Sequence, residues 1–379
     1  MHLWLGLSVG CVFALLGLTG AILVFYVEID QGLNPELAPT QPLTAPSSYQ
    51  AVLDALHRAH PDRHGAWRIE APLEPGRPIM VRYYRPAETA GLAFSPLMVS
   101  IDPATLTVGA SRFWGDFAMT WIYDLHYSLL LDRTGRTVVA VVGLCLLVSF
   151  GSGVFLWWPS AARLRGALTM KRNASGARRI YDLHTLSGVY GVIVFAMLAL
   201  TGAMLDEPTW FNPVIHQMSP LRPPDTHFST PLADRDPITV DAAIAAAMKR
   251  FPDAELRWIE TPADISGVFR INLYQPGEPG RRFPKTNVWV DQFSGSVVAS
   301  RDALQDAAGD TVLAWLHPLH SGEAFGMTGR IIVLVSGLLP PVLLVTGFLR
   351  WRQKRRVRMQ KSARLERSSG DSLGGIVRR

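Results

Sequence analysis

Cysteine is nearly absent from this chain: there are two among 379 residues, Cys11 and Cys145, and both sit inside apolar runs. They assemble no disulfide framework, no CxxC redox or zinc site and no CxxCH haem attachment, so any metal must be held by other residues. Charge is scarce as well, at 18% against about 25% in an ordinary soluble domain. No GxGxxG fingerprint and no P-loop occurs, which excludes hydride transfer from a nicotinamide bound by this chain. What the chain has is apolar length. Runs near residues 3–26, 137–158, 185–205 and 331–349 each approach the roughly 20 residues that cross about 30 Å of hydrocarbon at about 1.5 Å per residue. That pattern excludes a disordered, collagen-like, coiled-coil or disulfide-scaffold protein and predicts four membrane spans with polar segments between them.

The net charge of +6 would suit nucleic acid were it spread evenly, but it is not. Residues 159–181 carry Arg163, Arg165, Lys171, Arg172, Arg178 and Arg179 with no acid, and residues 350–379 carry eleven Lys or Arg against Glu366 and Asp371. The rest of the chain is therefore net acidic. An excess of cations in one short loop and one tail marks the cytoplasmic side, so both termini are expected inside, the partner is a lipid bilayer, and no nucleic acid is expected. The first run has no Lys or Arg ahead of it, is long for a signal core and shows no small-x-small cleavage site before Phe25-Tyr26, so it reads as an uncleaved anchor.

Self-comparison shows a duplication. His2, Gly6 and Leu18-Thr19-Gly20-Ala21 recur 182 residues later as His184, Gly188 and Leu200-Thr201-Gly202-Ala203. Leu125-His126, Thr134-Gly135-Arg136, Gly143, Gly153 and Trp157 recur 194 residues later as Leu319-His320, Thr328-Gly329-Arg330, Gly337, Gly347 and Trp351. Between the spans, Asp102, Val108 and Ala110-Ser111-Arg112 recur as Asp291, Val297 and Ala299-Ser300-Arg301, and Pro61-Asp62 as Pro252-Asp253. Each half is span, outer segment, span, and equally oriented copies relate by an axis along the membrane normal, which sets equivalent residues at equal depth. Within each outer segment an amphipathic helix, residues 49–60 or 239–251, precedes β-rich runs such as Ile79–Tyr84, Val268–Tyr274 and Val288–Asp291, with turns at Asp102-Pro103 and Phe293-Ser294-Gly295. Each reads as a small α+β unit.

The chain resembles the PepSY-associated transmembrane family over nearly its whole length, through Leu3-Trp4-Leu5-Gly6-Leu7 after His2, Leu18-Thr19-Gly20, Leu125-His126, Leu183-His184 and Leu319-His320-Ser321-Gly322-Glu323. It is most similar to members that look like diheme ferric siderophore reductases of the ferrioxamine type in the bacterial inner membrane. The resemblance implies an α-helical membrane protein: a four-helix transmembrane bundle with two small α+β PepSY-like periplasmic domains. The expected boundaries are a first span at 1–27, periplasmic domain 1 at 28–125, an interfacial segment and second span at 126–158, and a cytoplasmic loop at 159–183. A third span at 184–205, periplasmic domain 2 at 206–319, an interfacial segment and fourth span at 320–350, and a basic tail at 351–379 complete it.

Of ten histidines, four are paired by the duplication. His2 and His184 open the first and third spans from the inside. His126 and His320 precede the second and fourth from the outside. Two bis-histidine pairs at two depths are what two b-type haems require, with both axial positions filled by protein, which favours electron transfer over oxygen binding. Zinc fits less well, because it asks for three or four ligands at one depth. Gly6 and Gly20 lie four and eighteen residues beyond His2, Gly188 and Gly202 repeat this beyond His184, and Gly135 to Gly153 and Gly329 to Gly347 are also eighteen apart. Eighteen residues are five helical turns, so such glycines share a face and leave a bare strip for a porphyrin; the alternative is close helix packing.

Arg136 and Arg330, at the outer ends of two spans, are candidate propionate partners or simple interface anchors. Arg178 and Arg179 have the same ambiguity inside. His317 is the lower-ranked outer ligand, since its repeat equivalent is Tyr123 rather than histidine. His2 stands where a helix frays, so either the initiator region packs firmly on a haem or the true start lies upstream. His57, His60 and His64 form a possible metal cluster or a solvated helix end, and Trp114, Trp121 and Trp210 a possible acceptor platform or interfacial belt. The expected reaction moves electrons from the inner to the outer haem and on to a ferric siderophore, whose identity the residues do not dictate; the donor is a quinol or a cytoplasmic reductase. The rivals are a non-enzymatic module restraining a periplasmic peptidase and a transporter of iron complexes, for which the spans offer only hydroxyls such as Ser149, Thr201 and Thr346.

Overall fold

A computed structural model describes all residues except 36–45, 75, 225, 232–234 and 377–379. Its helices are α1 (His2–Ser8), α2 (Gly10–Leu23), α3 (Tyr26–Leu33), α4 (Tyr49–Ala59), α5 (Ala118–Ser128), α6 (Asp132–Trp157), α7 (Leu164–Ala167), α8 (Gly176–Asp206), α9 (Pro208–Met218), α10 (Val240–Arg250), α11 (Ala308–Ser321) and α12 (Gly326–Ile376). The strands are β1 (Trp67–Glu70), β2 (Ile79–Tyr83), β3 (Leu97–Ile101), β4 (Val108–Phe113), β5 (Glu255–Glu260), β6 (Val268–Tyr274), β7 (Thr286–Asp291) and β8 (Val297–Arg301). The chain divides into two compact units: residues 1–21, 141–200 and 332–379, and residues 22–140 and 201–331.

Three stretches, α6, α8 and Glu323–Gln360, are long and apolar enough to cross a membrane. The first apolar run differs from the straight helix its composition predicts, because α1 and α2 meet at a 60° bend. Val9 ends α1 by donating its N–H to Leu5 O, and the next residue, Gly10, is a weak helix former. His2 and Gly20 therefore do not share one unbroken helical face. In α8 the backbone is continuous, so His184, Gly188 and Gly202 do. Within this first unit the helices approach closely at glycine: a Cβ on Gly17 would meet Gly337 O at 2.7 Å and one on Gly337 would meet Gly17 O at 2.5 Å, which is small-residue packing.

In the second unit the expected pair of separate α+β domains is one continuous structure. Among the described residues all eight strands form a single antiparallel sheet in the order β4-β3-β2-β1-β5-β6-β7-β8. The join is β1 to β5, where Ile69 lies opposite Ile259, flanked by Arg68 opposite Glu260 and Glu70 opposite Trp258. Ile69-Glu70 and Ile259-Glu260 are the same dipeptide in the two halves. Reciprocal backbone bonds extend the seam, Ala71 N–H to Arg257 O at 2.8 Å and Thr261 N–H to Trp67 O at 2.9 Å. The physical reason is edge protection: a four-stranded sheet alone would expose the backbone groups of its β1 edge, and an equivalent edge satisfies them by self-complementary pairing.

One apolar core serves both halves. Helix α4 contributes Tyr49, Val52, Leu53 and Leu56, α10 contributes Val240, Ala243 and Ala247, and both lie against one sheet face that includes Trp67, Ile69, Val81, Val99, Ile259, Ile271 and Val288. The helices start where the sequence predicts, each capped by a hydroxyl: Ser48 Oγ accepts from Ala51 N–H and Thr239 Oγ1 from Ala242 N–H, both at 3.2 Å. Asp241 of α10 in turn accepts from Tyr49 N–H at 2.8 Å, and Gln50 Oε1 from Val240 N–H at 2.9 Å. Ile259→Ala, at a fully buried seam position, is expected to destabilise by about 2–5 kcal/mol. Amide protection measured by hydrogen exchange should fall in β1–β4 as well as β5–β8; a loss confined to β5–β8 would mean that the halves fold independently.

Candidate functional site

The four duplicated histidines meet in two pairs. In the first unit the His2 ring from α1 and the His184 ring from α8 have centroids 6.3 Å apart at an interplanar angle of 73°. In the second, His126 from α5 and His320 from α11 are 6.1 Å apart at 57°. Two imidazoles on opposite sides of one metal ion have centres roughly 6 Å apart, since each metal–nitrogen bond is about 2 Å and each nitrogen lies roughly 1.1 Å from its ring centre. Both pairs fit. Among the described residues no three or more His, Cys, Asp or Glu side chains gather as a chelating group; a haem iron needs only two from protein, because the macrocycle supplies the other four nitrogens.

Hydroxyls and carbonyls orient these rings. His2 Nδ1 lies 3.0 Å from Ser149 O and 3.4 Å from both Ser149 Oγ and Ser152 Oγ. A carbonyl only accepts, so Nδ1 carries the proton and the Nε2 lone pair is left for a metal. His184 Nδ1 is 3.0 Å from Thr346 Oγ1, whose own proton goes to Val342 O at 2.6 Å, so here too the ring donates. His320 Nδ1 is 3.0 Å from Thr201 Oγ1. Ser149, Thr201 and Thr346, the span hydroxyls that a transporter would use for its cargo, are thus engaged with histidine rings. Ser152 and Thr346 are repeat equivalents at the same spacing as His126 and His320, a signal that the sequence offers and that histidine counting passes over.

Besides the helix packing at Gly337, the duplicated glycines divide among three further jobs. A Cβ on Gly153 would come within 3.0 Å of His2 Cε1, one on Gly347 within 3.2 Å of His184 Cε1 and one on Gly202 within 3.0 Å of His320 Cε1, so these three back the rings. Gly6 has nothing within 4 Å of its missing Cβ and Gly188 only Leu343 at 3.8 Å. Both line a cavity of about 740 Å³ together with His2, His184, Gly153 and Gly347, within the size range of cofactor sites. Gly135 and Gly329 do not belong to a porphyrin strip: a Cβ on either would overlap the carbonyl of Ser128 or Gly322 in the turn just before the helix.

Arg136 and Arg330 are engaged with the protein's own backbone. Arg136 Nη2 donates to Asp206 O at 2.7 Å, and Arg330 Nη2 donates to Val24 O at 2.7 Å and to Glu28. Each guanidinium caps a carbonyl at a helix end, and the two carbonyls are themselves 182 residues apart. His317, one turn before His320, packs its ring edge-on to Phe283 at 4.7 Å, and its Nδ1 is buried with no partner. Burial, with Arg282, His320 and Lys285 nearby, pushes its pKa down to about 3, so it is neutral at physiological pH. The structure pairs His320, not His317, with His126.

Other candidates fall away from the site. His60 Nε2 meets Ser111 Oγ at 3.1 Å, while His57 and His64 line a separate pocket of about 280 Å³. Trp114 is buried, and its Nε1 donates to Asp124 Oδ1 at 2.8 Å, so it offers no surface platform; Trp121 and Trp210 are exposed. Arg178 pairs with Asp182 at 2.8 Å. What sequence reading missed is the end of the inner cavity, lined by Trp157, Tyr181, Arg350, Trp351, Lys354, Arg355 and Arg358.

The chain is similar to an uncharacterized protein of Pseudomonas aeruginosa, 25% identical over 282 residues that cover 69% of this chain and 70% of that one. The model of the PepSY-associated TM region family matches residues 1–354. Apolar helices long enough to span a bilayer, a sheet-bearing unit between them in sequence and a family match over almost the entire chain lead to one conclusion: this is a membrane protein that belongs to the PepSY-associated TM region family.

Proposed function

We propose that this chain carries electrons across the bacterial inner membrane through two b-type haems and delivers them to a ferric siderophore in the periplasm. The observation that carries the reading is the pair of imidazole pairs at 6.3 and 6.1 Å. A haem held in each would supply a one-electron ferric/ferrous couple. The chain's own residues do the rest. His2 with His184, and His126 with His320, would hold the two haems, with protein supplying both remaining ligands to each iron, which favours electron transfer over oxygen binding. Ser149, Thr346 and Thr201 hold the rings in register. Phe13, Phe150, Phe195, Leu343 and Leu344 make the inner cavity apolar and exclude water.

In this reading the bent α1–α2 pair is the first of four spans of a tandem repeat, the basic loop and tail face the cytoplasm, and the sheet-bearing segments are periplasmic. The donor is a quinol or a separate cytoplasmic reductase, because the chain has no nucleotide-binding motif. The acceptor rests on the family resemblance: reducing ferric to ferrous iron weakens hard oxygen ligation and frees the metal from its chelator.

Purified full-length protein is expected to give a reducible b-type optical spectrum and, by pyridine haemochrome against protein assay, two haems per chain. A value near zero rejects the redox reading and returns the chain to a peptidase-restraining module or a carrier of iron complexes. A value near one means that one histidine pair is wrongly assigned. Ferrous iron trapped by a colorimetric chelator after adding ferric hydroxamate to reduced protein tests the acceptor class separately.

A further inference from the structure

We infer that Trp157 and the basic stripe Arg350, Lys354 and Arg358 form a carboxylate-binding end of the inner cavity and receive the two propionates of the tetrapyrrole held by His2 and His184. This rests on the haem reading above. The three cations recur at four-residue intervals in α12, so they lie along one side of the helix, and all three line the cavity that contains the histidine pair. No Asp or Glu lines that cavity. Among the described residues none of the three cations has a carboxylate partner. Arg350 is placed by a stacking contact over the Tyr181 ring, 4.3 Å from its centroid.

Trp157 supplies an independent observation. Its Nε1 is buried and has no hydrogen-bond partner, although the residue lines the same cavity. A buried indole N–H without an acceptor is disfavoured and calls for one. An anionic oxygen entering beside Arg350 would serve both groups, and charge-assisted bonds of that kind are among the strongest a protein makes. The competing account is that these cations only meet lipid phosphates at the cytoplasmic surface. That account treats every cation of the helix alike, including Arg352 and Arg356, which do not line the cavity, whereas Lys354 and Arg358, equally exposed on their outer side, do.

The test compares haem with haem dimethyl ester, whose carboxylates are blocked. Full-length apoprotein carrying His320→Ala, which restricts binding to the inner pair, is titrated with each. Haem is expected to bind about tenfold or more tighter than the ester. Arg350→Gln with Lys354→Gln, and separately Trp157→Phe, should shrink that ratio, and the double variant should also lower the haem midpoint potential, because removing nearby positive charge disfavours the reduced iron. Arg352→Gln with Arg356→Gln should leave both unchanged. Equal affinity for haem and ester in the unsubstituted stripe overturns the inference while leaving the haem reading intact, as does an equal effect of the two double variants. Absence of binding of either porphyrin overturns both.

Discussion

A protein carrying His184→Ala is expected to insert and fold but to hold one haem in place of two, and His320→Ala to do the same at the other site. The argument is geometric. His2 and His184 face each other at 6.3 Å and His126 and His320 at 6.1 Å, so each substitution would delete one of the two proposed ligands to a haem iron. Electron flow in proteoliposomes, from a reductant trapped inside to a ferric chelate outside, should fall to background in both variants, since the proposed route runs through both sites in series. His2→Ala should abolish the inner signal alone. His317→Ala should keep both haems, because its ring lies against Phe283 rather than in the pair. Loss of a haem from the His317 variant with a normal spectrum in His320→Ala would reverse the assignment. Thr346→Val and Thr201→Val remove the hydroxyl beside a ring nitrogen and should weaken haem retention about 10–100-fold, with a shifted potential as a second readout.

The next largest effect is expected at a residue with no side chain. Gly188→Leu should eliminate the inner haem without unfolding the protein, because the space over Gly188 is open but for Leu343 at 3.8 Å and belongs to the 740 Å³ cavity. Gly188→Ala is a sharper control. In a helix interior alanine is favoured over glycine by about 1 kcal/mol, so the apoprotein should gain stability even as haem affinity declines. Gly337→Leu should behave oppositely, because its Cβ would press on Gly17 O, Ala21 Cβ and Ala21 N; the expected result is loss of folded protein rather than loss of haem from folded protein. Thermal unfolding followed by circular dichroism, read beside the haem-to-protein ratio, separates the two outcomes. A Gly188→Leu protein that retains both haems would show that this cavity is not where the inner cofactor lies.

The duplication explains how much was legible beforehand. An offset of 182 matched His2 with His184 and one of 194 matched His126 with His320, and each pair is found ring to ring. Apolar length placed the long helices α6 and α8, amphipathic periodicity placed α4 and α10, and β-rich runs placed β2, β6 and β7, since burial periodicity is a local property of the chain. Glycine was legible as a pattern and not as a role. Gly153, Gly188, Gly337 and Gly329 look alike in sequence, yet one backs a ring, one opens a cavity, one lets helices touch and one accommodates a turn carbonyl. Each role is set by atoms from distant parts of the chain.

By itself, then, the sequence determined the apolar helices, the clustering of basic charge in one loop and one tail, and which histidines match, all of which follow from composition and local pattern. Only the tertiary structure decided that the two segments between the apolar runs share one sheet through Ile69 and Ile259, that Arg136 and Arg330 cap helix ends, and that Arg350, Lys354 and Trp157 line the cavity beside His2 and His184. It also decided the bend at Val9. These depend on edge pairing, on which carbonyls remain unsatisfied and on which side of a long helix meets its neighbours. Such quantities exist only once segments far apart in the chain have come together.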